Sequence, residues 1–148
     1  MKTKLFISII ILLSSIKLFS QNYKTGLGVR LSPYFYCIDV KHFFKEKFAM
    51  EGMLNIAQTQ VVGVFLAELS NSFKSESGLN WYYGLGGSVR FPKEGSIVAA
   101  ADGIIGLEYT FTGAPINLSA DWKPAIEIVN GSAFYPTGFG LSIRYAFK

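Results

Sequence analysis

The chain has 148 residues, half of them hydrophobic and 16% aromatic, with 14 Lys+Arg against 10 Asp+Glu, one cysteine and one histidine. That length bounds it to a single domain. The lone cysteine excludes an internal disulfide, and one His with scattered carboxylates offers no metal-ligand spacing.

At the N-terminus, Lys2 and Lys4 precede an apolar run over residues 5–16 that Lys17 interrupts. This is the pattern of a secretory signal peptide and is too short to span a bilayer as a helix. The expected organisation is a signal peptide over 1–20, cleaved after Ser20, and one domain over 21–148. Cys37 is far from that cleavage point, so lipoprotein processing is not expected. Lys2, Lys4 and Lys17 leave with the signal, so the remainder carries eleven cations against ten carboxylates. The basic excess of the whole chain is therefore mostly targeting signal, and nucleic acid is excluded as a partner.

From Lys24 onward the pattern is one of strands. Over 25–32, Leu27, Val29 and Leu31 share one face, while Gly26, Gly28, Arg30 and Ser32 share the other. Pro33 and the aromatics Tyr34, Phe35 and Tyr36 make a connection. Over 37–44, Ile38 and Val40 oppose Asp39, Lys41 and Phe43, and Lys45-Glu46-Lys47 reads as a turn. Over 48–56, Met50, Leu54 and Ile56 oppose Glu51, Met53 and Asn55. The stretch 61–69 is apolar on both parities and its register is not legible; Glu68 points inward or marks its end. Residues 70–78 read as a loop.

The stretch 79–91 alternates Trp81, Tyr83, Leu85, Val89 and Phe91 with Tyr82, Gly84, Gly86, Ser88 and Arg90. Residues 97–101 are indistinct. Over 102–111, Ile105, Leu107, Tyr109 and Phe111 oppose Asp102, Gly106, Glu108 and Thr110. Over 116–124, Ile116, Leu118, Ala120 and Trp122 oppose Asn117, Ser119, Asp121 and Lys123. Asn130-Gly131 marks a turn. The last stretch, 138–148, places Phe139, Leu141, Ile143, Tyr145 and Phe147 against Gly140, Ser142, Arg144 and Ala146. Eight strands with short connections and no alternating helices predict an all-β, antiparallel up-and-down barrel whose two ends meet on one side.

The small face decides which way such a barrel faces. A soluble sheet would give that face to water, where glycine only weakens a strand. Here it carries Gly26, Gly28, Gly84, Gly86, Gly106 and Gly140, which suit the crowded interior of an eight-stranded barrel. It also carries Arg30, Lys41, Arg90, Lys123 and Arg144 against Asp39, Glu51, Asp102, Glu108 and Asp121. The expectation is a charge-balanced interior of five pairs, with the bulky face turned to lipid. With both termini periplasmic, Trp81, Tyr83, Tyr109, Phe111, Tyr145 and Phe147 fall toward one interface. Phe91, Trp122, Phe134 and Tyr135 fall toward the other, as two aromatic belts require.

A signal peptide, eight alternating strands and the ending Tyr145-Ala146-Phe147-Lys148 resemble the small outer-membrane β-barrels of Gram-negative bacteria. These are the OmpA/OmpX-like barrels and the uncharacterised outer-membrane barrel proteins near them. The stretches GLNWYYGLGG (78–87), DGIIGLEYTF (102–111) and NLSADWKP (117–124) are similar to that uncharacterised group. The resemblance implies an outer-membrane, porin-like fold, lipid neighbours, a monomer, and an aromatic near the C-terminus read by the outer-membrane assembly machinery. Phe147 matches that position, and Lys148 after it departs from the pattern. The resemblance implies no single activity.

No catalytic, cofactor-binding or metal-binding residue is expected. The single histidine, His42, falls on the lipid face near the periplasmic end. The lipid A deacylase pattern, a His followed two residues later by a Ser, has Phe44 at the second position. Gly84-Leu85-Gly86-Gly87 lies within a strand with no helix after it, so it is no phosphate loop. A structural or interaction role is therefore expected, with no cofactor. The alternatives are a lipid A-modifying outer-membrane enzyme and a soluble periplasmic lipocalin-like carrier with an apolar interior.

Overall fold

The structure, a computed structural model, describes residues 23–33, 35–130 and 133–148. The expected signal peptide lies outside the described residues, as do Tyr34 and Gly131. Among the described residues there is no helix. Ten strand segments follow one another: β1 (Thr25–Leu31), β2 (Tyr36–Phe43), β3 (Phe48–Ile56), β4 (Gln60–Ser72), β5 (Leu79–Pro92), β6 (Val98–Thr110), β7 (Ile116–Trp122), β8 (Ala125–Val129), β9 (Phe134–Tyr135) and β10 (Phe139–Phe147).

Each of β1 to β6 pairs antiparallel with the next, β7 pairs with β10, and β10 pairs with β1. This closes an eight-stranded barrel. Thr25 lies opposite Phe147, so both ends of the described chain meet at one rim. The remaining two segments are extensions. The chain breaks after Trp122 at Lys123-Pro124, where proline has no N–H to offer a ladder. It then resumes as β8 along the first half of β6, and the Gly103 N–H donates to the Pro124 carbonyl across the break at 3.0 Å. The short β9 pairs back onto β8.

The strands are staggered. Leu31, last in β1, is in register through Leu141, Ala120, Leu107 and Trp81 with Asn71, near the termini-side end of β4. Such a shift around the wall is the shear that tilts strands in a closed barrel. The strand lengths are uneven: β4, β5 and β6 have 13, 14 and 13 residues, whereas β1 and β7 have seven. The 61–69 and 102–111 expectations were too short. Residues 98–101 of the indistinct stretch belong to β6, and β8 and β9 were not anticipated.

The facing of the wall follows the alternation. On β10, Gly140, Ser142, Arg144 and Ala146 are buried, while Phe139, Leu141, Ile143, Tyr145 and Phe147 are exposed. The same inversion runs round the barrel: Leu85 is 75% exposed and Ile56 66%, whereas Arg30, Asp39, Lys41 and Glu51 are fully buried. The illegible strand β4 turns Val64, Leu66, Glu68 and Ser70 inward and Phe65 and Leu69 outward. Glu68 is thus an interior residue.

Interior glycines let the walls approach. At Gly28, a Cβ would overlap the Ile143 carbonyl on β10 and crowd the Arg144 backbone, at the seam that closes the barrel. Backbone cannot swing aside as a side chain can. Gly28→Val is expected to destabilise the barrel by about 3 kcal/mol, the upper end of ordinary overpacking costs. A shifted denaturation midpoint measures it.

Candidate functional site

The most highly organised chemistry in the molecule lies inside the barrel. From the termini rim inward, β2 presents Lys41, Asp39 and then Cys37, and β3 presents Glu51, Met53 and then Asn55. In the same direction β4 presents Glu68, Leu66 and Val64, and β6 presents Glu108, Ile104 and Asp102. Four strands therefore agree on a layered interior. A charged layer lies toward the termini. Beyond it, Cys37, Met53, Val64, Leu66, Tyr82 and Ile104 form an apolar cluster. Polar residues return toward the far end.

Two clusters make up the charged layer. Arg144 pairs with Asp39 at 2.6 Å through Nε and also with Glu51. Its Nη1 donates to the Asn117 amide oxygen at 3.0 Å and to the Ser119 hydroxyl at 2.9 Å. One guanidinium on β10 thus ties β2, β3 and β7, using the planar fork that suits arginine to buried carboxylates. Lys41 pairs with Glu68 at 2.7 Å and Glu108 at 3.5 Å, joining β2 to β4 and β6. Its ammonium also lies 3.7 Å from the centre of the Tyr82 ring. Farther along, Arg30 on β1 pairs with Asp121 on β7 at 2.6 Å and donates to the Gly138 carbonyl at 3.0 Å. Lys123 pairs with Asp102 at 2.7 Å, and Arg90, 38% exposed, pairs with Glu127 at 2.7 Å toward the far rim.

Nine of the ten expected interior charges are buried, and the tenth, Arg90, is partly exposed toward the far rim. The expected balance of five against five is corrected, because Glu68 and Glu127 are also buried. Among the described residues, seven carboxylates and four cations are buried, with Arg90 paired to Glu127 from the rim. The sequence leaves the facing of Glu68 open because β4 is apolar on both faces, so binary contrast gives no register. Glu127 was missed because β8 is only five residues long. Tyr23, before β1, was also missed. It is buried, and its phenol donates to Glu108 at 3.0 Å. Burial first, and the Glu108 carboxylate second, hold its ionisation well above the ordinary tyrosine range.

His42 sits half-buried on the outer face, as its parity requires. Its Nδ1 lies 2.8 Å from the Thr25 hydroxyl, and its ring meets the edge of Phe44 at 4.7 Å. The Thr25 hydroxyl is a group of the nucleophile type, but neither contact supplies the carboxylate that orients the imidazole in a nucleophile–base–acid relay. Among the described residues no group of His, Cys, Asp and Glu is placed to hold a metal ion. Chemically, the interior is a set of mutual clamps: Arg30, Lys41, Arg90 and Arg144 each reach a strand that is not a neighbour in the sheet, and Lys123 ties the β7–β8 link to the adjoining β6.

On the outer face, aromatic pairs collect along the strands. Trp81 stacks on Tyr83, Tyr109 meets Phe111 edge-on, and Tyr145 lies against Phe147. Trp122 stacks on Phe139, and its indole donates to the Pro136 carbonyl at 2.5 Å. No family model, no curated protein and no solved structure matches the chain.

Proposed function

We propose that the chain is an integral outer-membrane β-barrel with a side-chain-filled lumen, serving a structural or interaction role and not a catalytic one. The observation that carries this is the inverted polarity of the wall. A soluble barrel leaving its Leu, Ile, Val, Phe and Trp in water would expose an apolar surface far beyond the few hundred Å² usual for a monomer. In a bilayer the same surface is solvated by acyl chains, and closure leaves no unpaired sheet edge around the wall. The aromatic pairs then belong to the interfaces, where amphipathic rings partition.

The rest of the proposal rests on the sequence. Residues 1–20 supply export, the resemblance to OmpA/OmpX-like barrels supplies the outer membrane of a Gram-negative bacterium, and Phe147 supplies the aromatic for the assembly machinery. Lipids are the standing partners of a monomer. A lipocalin-like carrier needs an apolar interior, the opposite of the facing described above. A lipid A-modifying enzyme of the serine–histidine–carboxylate type needs a carboxylate to orient its base, and the contacts of His42 are a threonine hydroxyl and a phenyl edge. Cell fractionation tests the proposal: the protein should sediment with the outer membrane and migrate differently on a denaturing gel before and after boiling. Mature protein in the soluble periplasmic fraction would overturn it.

A further inference from the structure

At the rim where the chain ends meet, the mouth of the barrel opens into a cavity of about 390 Å³. Its lining is cationic: Lys24, Lys45 and Lys47 face it with a single carboxylate, Glu46. None of these three lysines takes part in an ion pair among the described residues, in contrast to Arg30, Lys41, Arg90, Lys123 and Arg144. Ser72 and Asn80 add a hydroxyl and an amide to the lining. The floor is Tyr23, whose phenol is committed to Glu108 and stands between the mouth and the interior carboxylates.

The cavity also has an apolar side. Phe43 and Phe44 line it, and Phe44 is 59% exposed, with its ring near that of Phe48 on the outer wall. The cationic mouth and the apolar outer face therefore share one rim, at the β2–β3 turn.

The geometry points to an anion site at this mouth that takes a phosphate group, with the three lysines as counter-charges and Ser72 and Asn80 as hydrogen-bond donors. Lysine is a compact, mobile point charge that suits a phosphate without demanding one bidentate geometry. A phospholipid at the rim delivers such a group with its acyl chains still along the wall beside Phe44, and free phosphate in solution delivers the same chemistry. The lipid source rests on the membrane reading above; the anion site does not.

The full chain is first refolded into phosphatidylcholine vesicles, with insertion scored by heat-modifiable migration, and then into vesicles that also contain phosphatidic acid. After detergent extraction, native mass spectrometry reads the lipid retained, and a parallel phosphorus NMR titration of the detergent-solubilised protein reads inorganic phosphate. The expected result is preferential retention of phosphatidic acid. The Lys24→Gln/Lys45→Gln/Lys47→Gln variant should lose it by at least about tenfold, given the attraction of each lysine to an anionic headgroup. Lys93→Gln, in the β5–β6 connection at the opposite rim, should change nothing. Phosphate binding lost with the same three lysines assigns the site to the free anion as well; lipid retention without it assigns the site to the headgroup. Equal retention by native protein and triple variant, with no phosphate binding, overturns the site. Failure to insert into any vesicle counts against the membrane reading, and the phosphate titration then decides the site by itself.

Discussion

Arg144→Met is expected to cost about 3–5 kcal/mol of folding stability, because it leaves two buried carboxylates without their shared cation. Arg144 is 1% exposed, and Asp39 and Glu51 are fully buried around it. Water cannot reach these oxygens to replace the lost partner, so the penalty is the desolvation of uncompensated charge more than the loss of the pair itself. A denaturant midpoint in detergent measures it. Combining Arg144→Met with Asp39→Asn and Glu51→Gln should recover much of the loss, since the stranded charges are then gone. A cost below about 1 kcal/mol for the single change would place this cluster in the range of exposed pairs and contradict its role as a clamp.

Leu141→Arg is expected to disrupt assembly far more than Ser142→Ala. Leu141 is 63% exposed on the outer face between Leu31 and Ala120, and Ser142 is buried inside between Arg30 and Ser119. An arginine on the lipid face costs about 2–4 kcal/mol near the bilayer midplane, whereas removing one interior hydroxyl costs at most a hydrogen bond. The fraction of each variant reaching the heat-modifiable form in phosphatidylcholine vesicles is the measurement. Equal yields would contradict the facing of β10.

The strands that were legible from sequence are those in which bulk on one face meets glycine or charge on the other. In β10 each residue differs in class from the one before it, so its facing follows from parity alone. Of the ten charges read as interior from that parity nine are buried and Arg90 is partly exposed at the far rim, but their geometry was not legible. That Arg144 reaches across to Asp39 and Glu51 depends on the shear of the closed wall, which no single strand encodes. Contrast disappears in β4 because the apolar layer of the interior passes through it: Val64 and Leu66 face inward while Phe65 faces outward. Glu68 lost its register with them, and the interior acid excess went unseen. The β8–β9 extension was hidden for another reason. Pro124 reads as the end of a strand, yet β6 is long enough to hold a second segment beyond it. Asn130, with φ of 57°, marks the turn expected there.

The central claim is that the bulky face of this wall meets lipid, and the protein carries its own probes of it. Its two tryptophans, Trp81 and Trp122, both lie on the outer face, each 37% exposed. The measurement is tryptophan fluorescence of the unmodified protein refolded into vesicles whose acyl chains are brominated near the headgroup. Strong quenching by the brominated lipid together with weak quenching by aqueous iodide is the predicted result; strong quenching by iodide with none by the lipid would contradict it.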